Sequence, residues 1–258
     1  MSNLQIIDSH AHYEHPRFDN DRDSLLRGLP NEGVELAINV GCDLPSSQES
    51  IKLAEAYNHI YATAGVHPHE AKTLTNSKLE ELRQMCKHPK VIAFGEIGLD
   101  FHYDFSPRDV QRFWFAHQLQ LAFEIEKPVV IHSREANQEV FDTIEKSPVR
   151  NGVVHSFSGD AELAVAYTKL GFHIGIGGVV TFDKTGQLQA AVAAIPLEKI
   201  LLETDAPYLT PAPFRGKRNE SKYLTYVATE IARIKGLDME TVCRQTSKNV
   251  KDLFDLRV

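Results

Sequence analysis

Eight short runs of β-branched and apolar residues recur along the 258-residue sequence, near positions 5–10, 36–42, 60–66, 91–97, 128–132, 152–157, 172–178 and 200–204. Their C-terminal edges fall at His10, Cys42, His67, Glu96, His132, His155, Gly178 and Asp205, separated by 32, 25, 29, 36, 23, 23 and 27 residues. Such intervals are close to one strand-and-helix unit of about 30 residues. Segments of helical period fill the gaps. The plainest is 107–126, where Val110, Phe113, Trp114, His117 and Leu121 share one stripe and put Trp114 in the core. Two more helical stretches, 221–235 and 239–254, follow the last run, with Gly236 as a stop between them. Eight strands alternating with helices predict an α/β fold, a (β/α)8 TIM barrel, as one domain over residues 1–258 with additional C-terminal helices.

Composition suits such a barrel: 42% of the residues are hydrophobic and 24% charged, enough for a sizeable core and a polar surface. The formal net charge of -7 argues against a broad electrostatic grip on polyanions, so contact with nucleic acid needs positive charge gathered locally. Cys42, Cys86 and Cys243 are odd in number and widely spaced, which makes neither a disulfide framework nor a zinc knuckle and fits a reducing compartment. No basic stretch followed by an apolar one opens the sequence, and no run approaches the roughly 18 apolar residues of a membrane span. The expectation is a cytoplasmic protein with no membrane association and no obligate protein partner.

The run edges also hold the chemistry. His10 and His12 sit two apart at the end of the first run, so both imidazoles face one way. Glu96, His132, His155 and Asp205 end the fourth, fifth, sixth and eighth runs. Barrel active sites gather at the C-terminal ends of the strands, where residues some 200 apart in sequence can meet. Four imidazoles and two carboxylates are too many for one tetrahedral ion and suit two divalent metals, with Glu96 placed to bridge them. Such a pair activates water at neutral pH and holds the attacking and leaving oxygens of a displacement. Asp205 is expected to bind metal through one oxygen and take a proton from the attacking water through the other. Glu203, two residues earlier, faces the same interior one layer deeper, either as a catalytic carboxylate or as a structural one hydrogen-bonded around the ligands. His67 is placed to touch substrate or orient a ligand.

The motifs together are identified with the TatD family of metal-dependent deoxyribonucleases in the amidohydrolase superfamily. They are H-x-H at 10–12, G-V-H-P-H at 65–69, G-E-I-G-L-D at 95–100, I-H-S-R at 131–134, H-S-F-S-G at 155–159, L-E-T-D-A-P-Y-L at 202–209 and F-R-G-K-R-N-E at 214–220. The resemblance implies a two-metal phosphodiesterase that trims DNA from 3′ to 5′, with metal on His10, His12, Glu96, His132, His155 and Asp205. Glu96 stands where many amidohydrolases carry a carboxylated lysine, which favours the TatD branch. Imidazole-rich ligation suits Zn²⁺, Mn²⁺ or Ni²⁺, whereas the family resemblance implies Mg²⁺.

DNA ends or single-stranded DNA would then be the substrate, and its phosphates need further cations. Arg134 is placed to hold phosphate as a bidentate fork, the alternative being a salt bridge to a helix carboxylate. Arg215, Lys217 and Arg218, with Lys222 nearby, form a basic loop after the eighth strand, either a phosphate site or a solvated surface. Tyr208 and Phe214 are candidates to stack on a terminal base. Asp100 either caps the segment after it or lines the pocket. His15, His59, His69, His88, His102, His117 and His173 read as surface or packing residues. Two other readings use the same ligands: a two-metal amidohydrolase acting on a small ester, amide or aminoacyl ester, and a metal-binding scaffold without turnover.

Overall fold

The structure is a computed structural model and describes residues 5–256. Its strands are β1 (Ile6–Ala11), β2 (Val34–Asn39), β3 (Ile60–Ala64), β4 (Val91–Asp100), β5 (Val129–Arg134), β6 (Gly152–Val154), β7 (His173–Ile176) and β8 (Ile200–Leu202). They pair in parallel and in sequence order. Beyond β8 the chain runs on alongside β1 and closes the ring: Ala11 pairs with Ala206, the Asp205 amide donates to His10 O at 2.9 Å, and the His12 amide donates to Ala206 O at 2.8 Å. The result is the expected (β/α)8 barrel.

Helices α1 (Arg22–Gly28), α2 (Leu44–Ala56), α3 (Asn76–Met85), α4 (Arg108–Glu124), α5 (Asn137–Lys146), α6 (Ala161–Lys169), α7 (Gln187–Ala194) and α8 (Leu224–Lys235) surround the strands, and α9 (Met239–Leu253) follows. Gly236 ends α8 in the left-handed conformation, φ 66°, the geometry that makes glycine a helix stop.

Alternation along the strands divides the apolar residues into two cores. On β2 and just past its end, Leu36, Ile38 and Val40 join Ile7, Ile92, Val130, Val153 and Leu201 in the barrel interior, while Ala37 joins the larger layer between strands and helices. Val250 and Leu253 from α9 and Phe254, which caps it, belong to the interior cluster, so this helix plugs the end of the barrel away from the strand C-termini. Asn249 fastens it, donating at 2.8 Å to both Leu197 O and Ile200 O.

Two details of the fold depart from the sequence reading. Trp114 and Leu121 on α4 are buried as expected, but Phe113 and His117 face solvent, and the buried side also takes in Gln111, Phe115, Gln118, Leu119 and Ala122. The two glutamines are inside because each amide completes a strand edge. Gln118 accepts from Val66 N at 2.9 Å and donates to Val66 O at 3.0 Å. Gln111 accepts from Asp100 N at 2.9 Å and donates to Asp100 O at 3.0 Å. β1 is also irregular: Ile7 points into the barrel, yet so does His10, three residues on, which a regular strand forbids. The register against β2 shifts between Asp8 and Ala11, and this irregularity turns His10 and His12 inward.

Candidate metal centre

β1, β4, β5, β6 and the segment after β8 bring His10, His12, Glu96, His132, His155 and Asp205 to one spot at the C-terminal mouth of the barrel. Glu96, 2% exposed, lies at its centre. Its Oε1 is 2.7 Å from His155 Nε2, 2.9 Å from His132 Nδ1 and 3.6 Å from His67 Nε2. Its Oε2 turns the other way, 3.4 Å from His10 Nε2 and 4.0 Å from His12 Nε2. Asp205 Oδ1 completes that second side, 3.4 Å from His12 Nε2 and 3.8 Å from His10 Nε2.

The hydrogen bonds behind the ligands show that these atoms fit a metal. His12 Nδ1 donates to Val40 O at 2.9 Å, which leaves the Nε2 lone pair facing His10 Nε2 at 3.2 Å. His132 Nε2 donates to Asp100 Oδ2 at 3.1 Å, which leaves Nδ1 as a lone pair aimed at Glu96 Oε1. Lone pairs converging on a carboxylate repel one another unless a cation lies among them. Two groups meet the requirement, His10 with His12 and Glu96, and His67 with Glu96 and His132, each with its donor atoms within 4.8 Å of one another. Burial favours the neutral acid at Glu96, but His155 and His67 outweigh it and hold the carboxyl well below its ordinary range. At Asp205 burial is likewise outweighed, here by His12, and the group stays a carboxylate.

A further layer lies beneath. The His10 and His155 rings stack at 3.9 Å and 13°, with their Nε2 atoms on the Glu96 side. Their Nδ1 atoms and Glu203 Oε2 are buried without protein hydrogen-bond partners, and these three residues form another close donor group. Glu203 is fully buried: its Oε1 accepts from Ser156 N at 2.5 Å and lies 3.8 Å from His155 Nδ1. Burial pushes its carboxyl up to about 8, against the lowering effect of His155. Gly175 makes the room, since a Cβ there would meet Glu203 Oε2 at 2.2 Å. The geometry puts Glu203 behind the ligands and away from the cavity wall.

The mouth is a cavity of about 980 Å³ whose wall includes His67, Arg134 and Tyr208 along with the central cluster. In the loop after β8, Arg215 and Lys217 do not line that wall. Arg215 lies over the Phe182 ring at 3.8 Å and donates to Thr210 O, while Lys217 lies 5.3 Å from the Phe214 ring. Phe214 itself stacks on Tyr223 at 4.7 Å. Arg218 is consumed by Asp21 and Glu220, and Lys222 by Glu220. What this loop supplies is Asn219, buried, donating to Thr204 O at 2.8 Å and Tyr208 O at 2.7 Å and so fixing the turn around Asp205.

Sequence reasoning also missed His69, read as a surface or packing residue. It lines the cavity and its Nε2 is 2.9 Å from Asp100 Oδ2, the oxygen that also receives His132. Asp100 is thereby a pocket group and a loop anchor at once: its Oδ1 accepts from His102 N and Tyr103 N, each at 3.0 Å. G-V-H-P-H and G-L-D marked both positions, but nothing in them tells a ligand from its support.

A (β/α)8 barrel with imidazoles and carboxylates gathered at this rim is built for metal-dependent hydrolysis. A family model described as TatD related DNase matches residues 7–255. An uncharacterised metal-dependent hydrolase of Bacillus subtilis, YabD, is 38% identical over 251 residues, covering 96% of this chain and 98% of its own. The 3′-5′ ssDNA/RNA exonuclease TatD of Escherichia fergusonii is 36% identical, covering 93% and 95%. Among solved structures, the TatD homologue YjjV from Escherichia coli K12 superposes with a TM-score of 0.92 at 30% identity, covering 98% of this chain and 99% of that one. The chain belongs to the TatD-related DNase family, and it is a metal-dependent hydrolase.

Proposed function

We propose that the protein removes nucleotides from the 3′ ends of single-stranded DNA by hydrolysing phosphodiester bonds with two divalent ions, Mg²⁺, Mn²⁺ or Zn²⁺. The observation that carries the two-ion reading is Glu96, whose two oxygens face two separate imidazole groups. His10, His12, Asp205 and Glu96 Oε2 would hold one ion, and His132, His155 and Glu96 Oε1 the other. Bound there, the ions supply Lewis acidity to water and to the scissile phosphate. Asp205, whose carboxyl lies below its ordinary range, accepts the proton of the attacking water. Val40 O and Asp100 hold His12 and His132 in the tautomers that present a lone pair inward. Glu203 fixes the layer below by gripping Ser156 N next to His155. His67 and Arg134 line the cavity where the phosphate and its neighbours must lie.

The nuclease reading is supported by the relative named a 3′-5′ ssDNA/RNA exonuclease, which matches along almost the whole chain. The test is digestion of 5′-labelled and 3′-labelled oligonucleotides. The 5′-labelled strand should shorten to a ladder, EDTA should stop the reaction, and Mg²⁺ or Mn²⁺ should restore it. Glu96→Gln and Asp205→Asn should each abolish turnover. Hydrolysis of small esters or amides with no attack on any oligonucleotide would replace this reading with a small-molecule one.

A further inference from the structure

The loop after β4, residues 101–107, presents aromatic rings to solvent beside the metal centre. Tyr103 is 47% and Phe105 55% exposed, although both are large and apolar enough to belong inside. Their rings stack at 5.2 Å and 12°. The Arg134 guanidinium lies over Tyr103 at 4.7 Å, and no carboxylate pairs with it among the described residues. By contrast, the charges nearest in sequence are already matched, Asp104 with Arg108 and Glu135 with His102.

The backbone that carries the rings is also anchored. Tyr103 N donates to Asp100 Oδ1, Lys72 Nζ donates to Phe105 O at 2.9 Å, and Ser106 Oγ donates to His69 O at 2.8 Å. Phe105 packs edge-on against His69 at 4.8 Å, and His69 reaches His132 through Asp100. Tyr103 and Arg134 line the cavity, so the stack runs outward from the same mouth that holds the central cluster.

We propose that Tyr103, Phe105 and Arg134 form a stacking platform for the bases of a single-stranded nucleic acid lying outward from the scissile phosphate, a subsite that rests on the nuclease reading above. A rigid pair of exposed rings tolerates any base, because every base offers a π-face, and the unpaired guanidinium adds attraction to both base and phosphate. A double helix could not use the platform, since its bases already stack on each other. The platform therefore engages unpaired bases without reading sequence.

The test compares steady-state cleavage by the wild type and by Tyr103→Ala/Phe105→Ala. The two substrates are an oligo-dT strand and a strand of equal length with abasic sites beside the cleaved bond. Both side chains are exposed, so circular dichroism should show the variant folded. On oligo-dT the variant should raise KM by roughly 5-fold or more, the loss of one stacked base, with a smaller change in kcat. On the abasic strand the KM of the wild type should rise to that of the variant, and Tyr103→Phe should keep the wild-type KM on oligo-dT. An unchanged KM on oligo-dT, or the same ratio between the two proteins on abasic DNA, overturns the platform while leaving the nuclease intact. Failure of the wild type to cut either strand in Mn²⁺ overturns the nuclease reading, and the platform with it.

Discussion

At the scale of single residues, the centre depends on atoms that never touch the cavity. Glu203 shows this: its burial lifts the carboxyl to about 8, and it sits under the orphaned Nδ1 atoms of two stacked histidines. Glu203→Gln keeps the shape but places an amide where those imidazoles need an acceptor. Metal affinity should fall by about 10- to 100-fold, the usual cost of altering a group behind the ligands. Calorimetric titration with Mn²⁺ checks this without any substrate, and an unchanged affinity would remove Glu203 from the ligand support. The same logic explains why the six residues gathered at the mouth were visible in the sequence and the residues that hold them were not. His10, His12, Glu96, His132, His155 and Asp205 are chemically unusual at strand ends, whereas Asp100, His69 and Asn219 are ordinary polar residues until the fold sets them against a neighbour.

At the scale of elements, strand periodicity was legible because each strand buries alternate residues, and all eight runs correspond to strands of the barrel. α4 was misjudged at its face, because hydrophobic period assigns Phe113 to the core and glutamine to solvent. The buried Gln111 and Gln118 defeat that rule by hydrogen-bonding in place of a missing strand neighbour. Gln118→Leu would leave the buried N–H and C=O of Val66 unmatched, one residue before His67. The expected loss is about 2–6 kcal/mol of stability, measured by urea unfolding, from two polar groups at 1–3 kcal/mol each. The irregularity in β1 was illegible for a different reason: a bulge depends on the partner strand, and the sequence of β1 alone reads as regular alternation.

Across the whole molecule, the two ends of the barrel are closed by different means, polar ligands at one and the apolar side of α9 at the other. Phe254→Ala would open the plug and should cost about 3–5 kcal/mol, seen as a lower urea midpoint with the barrel still folded. Acid stability is set in part at the start of β7, where burial and Lys199 lower the His173 imidazole to about 4. The unfolded chain carries this histidine near 6.5 and binds more protons between those values. Its contribution to stability is therefore complete above pH 6.5 and is lost as pH falls towards 4. The urea midpoint of His173→Gln should change less between pH 7 and pH 5 than that of the wild type, and an equal change would assign the acid sensitivity elsewhere. The plug has one more consequence. Because the barrel interior is filled by its own apolar side chains and the far end is covered by α9, the mouth is a blind well: whatever is processed must arrive and depart through one doorway, and a long polymer can offer only its tip or a loop, never be threaded through.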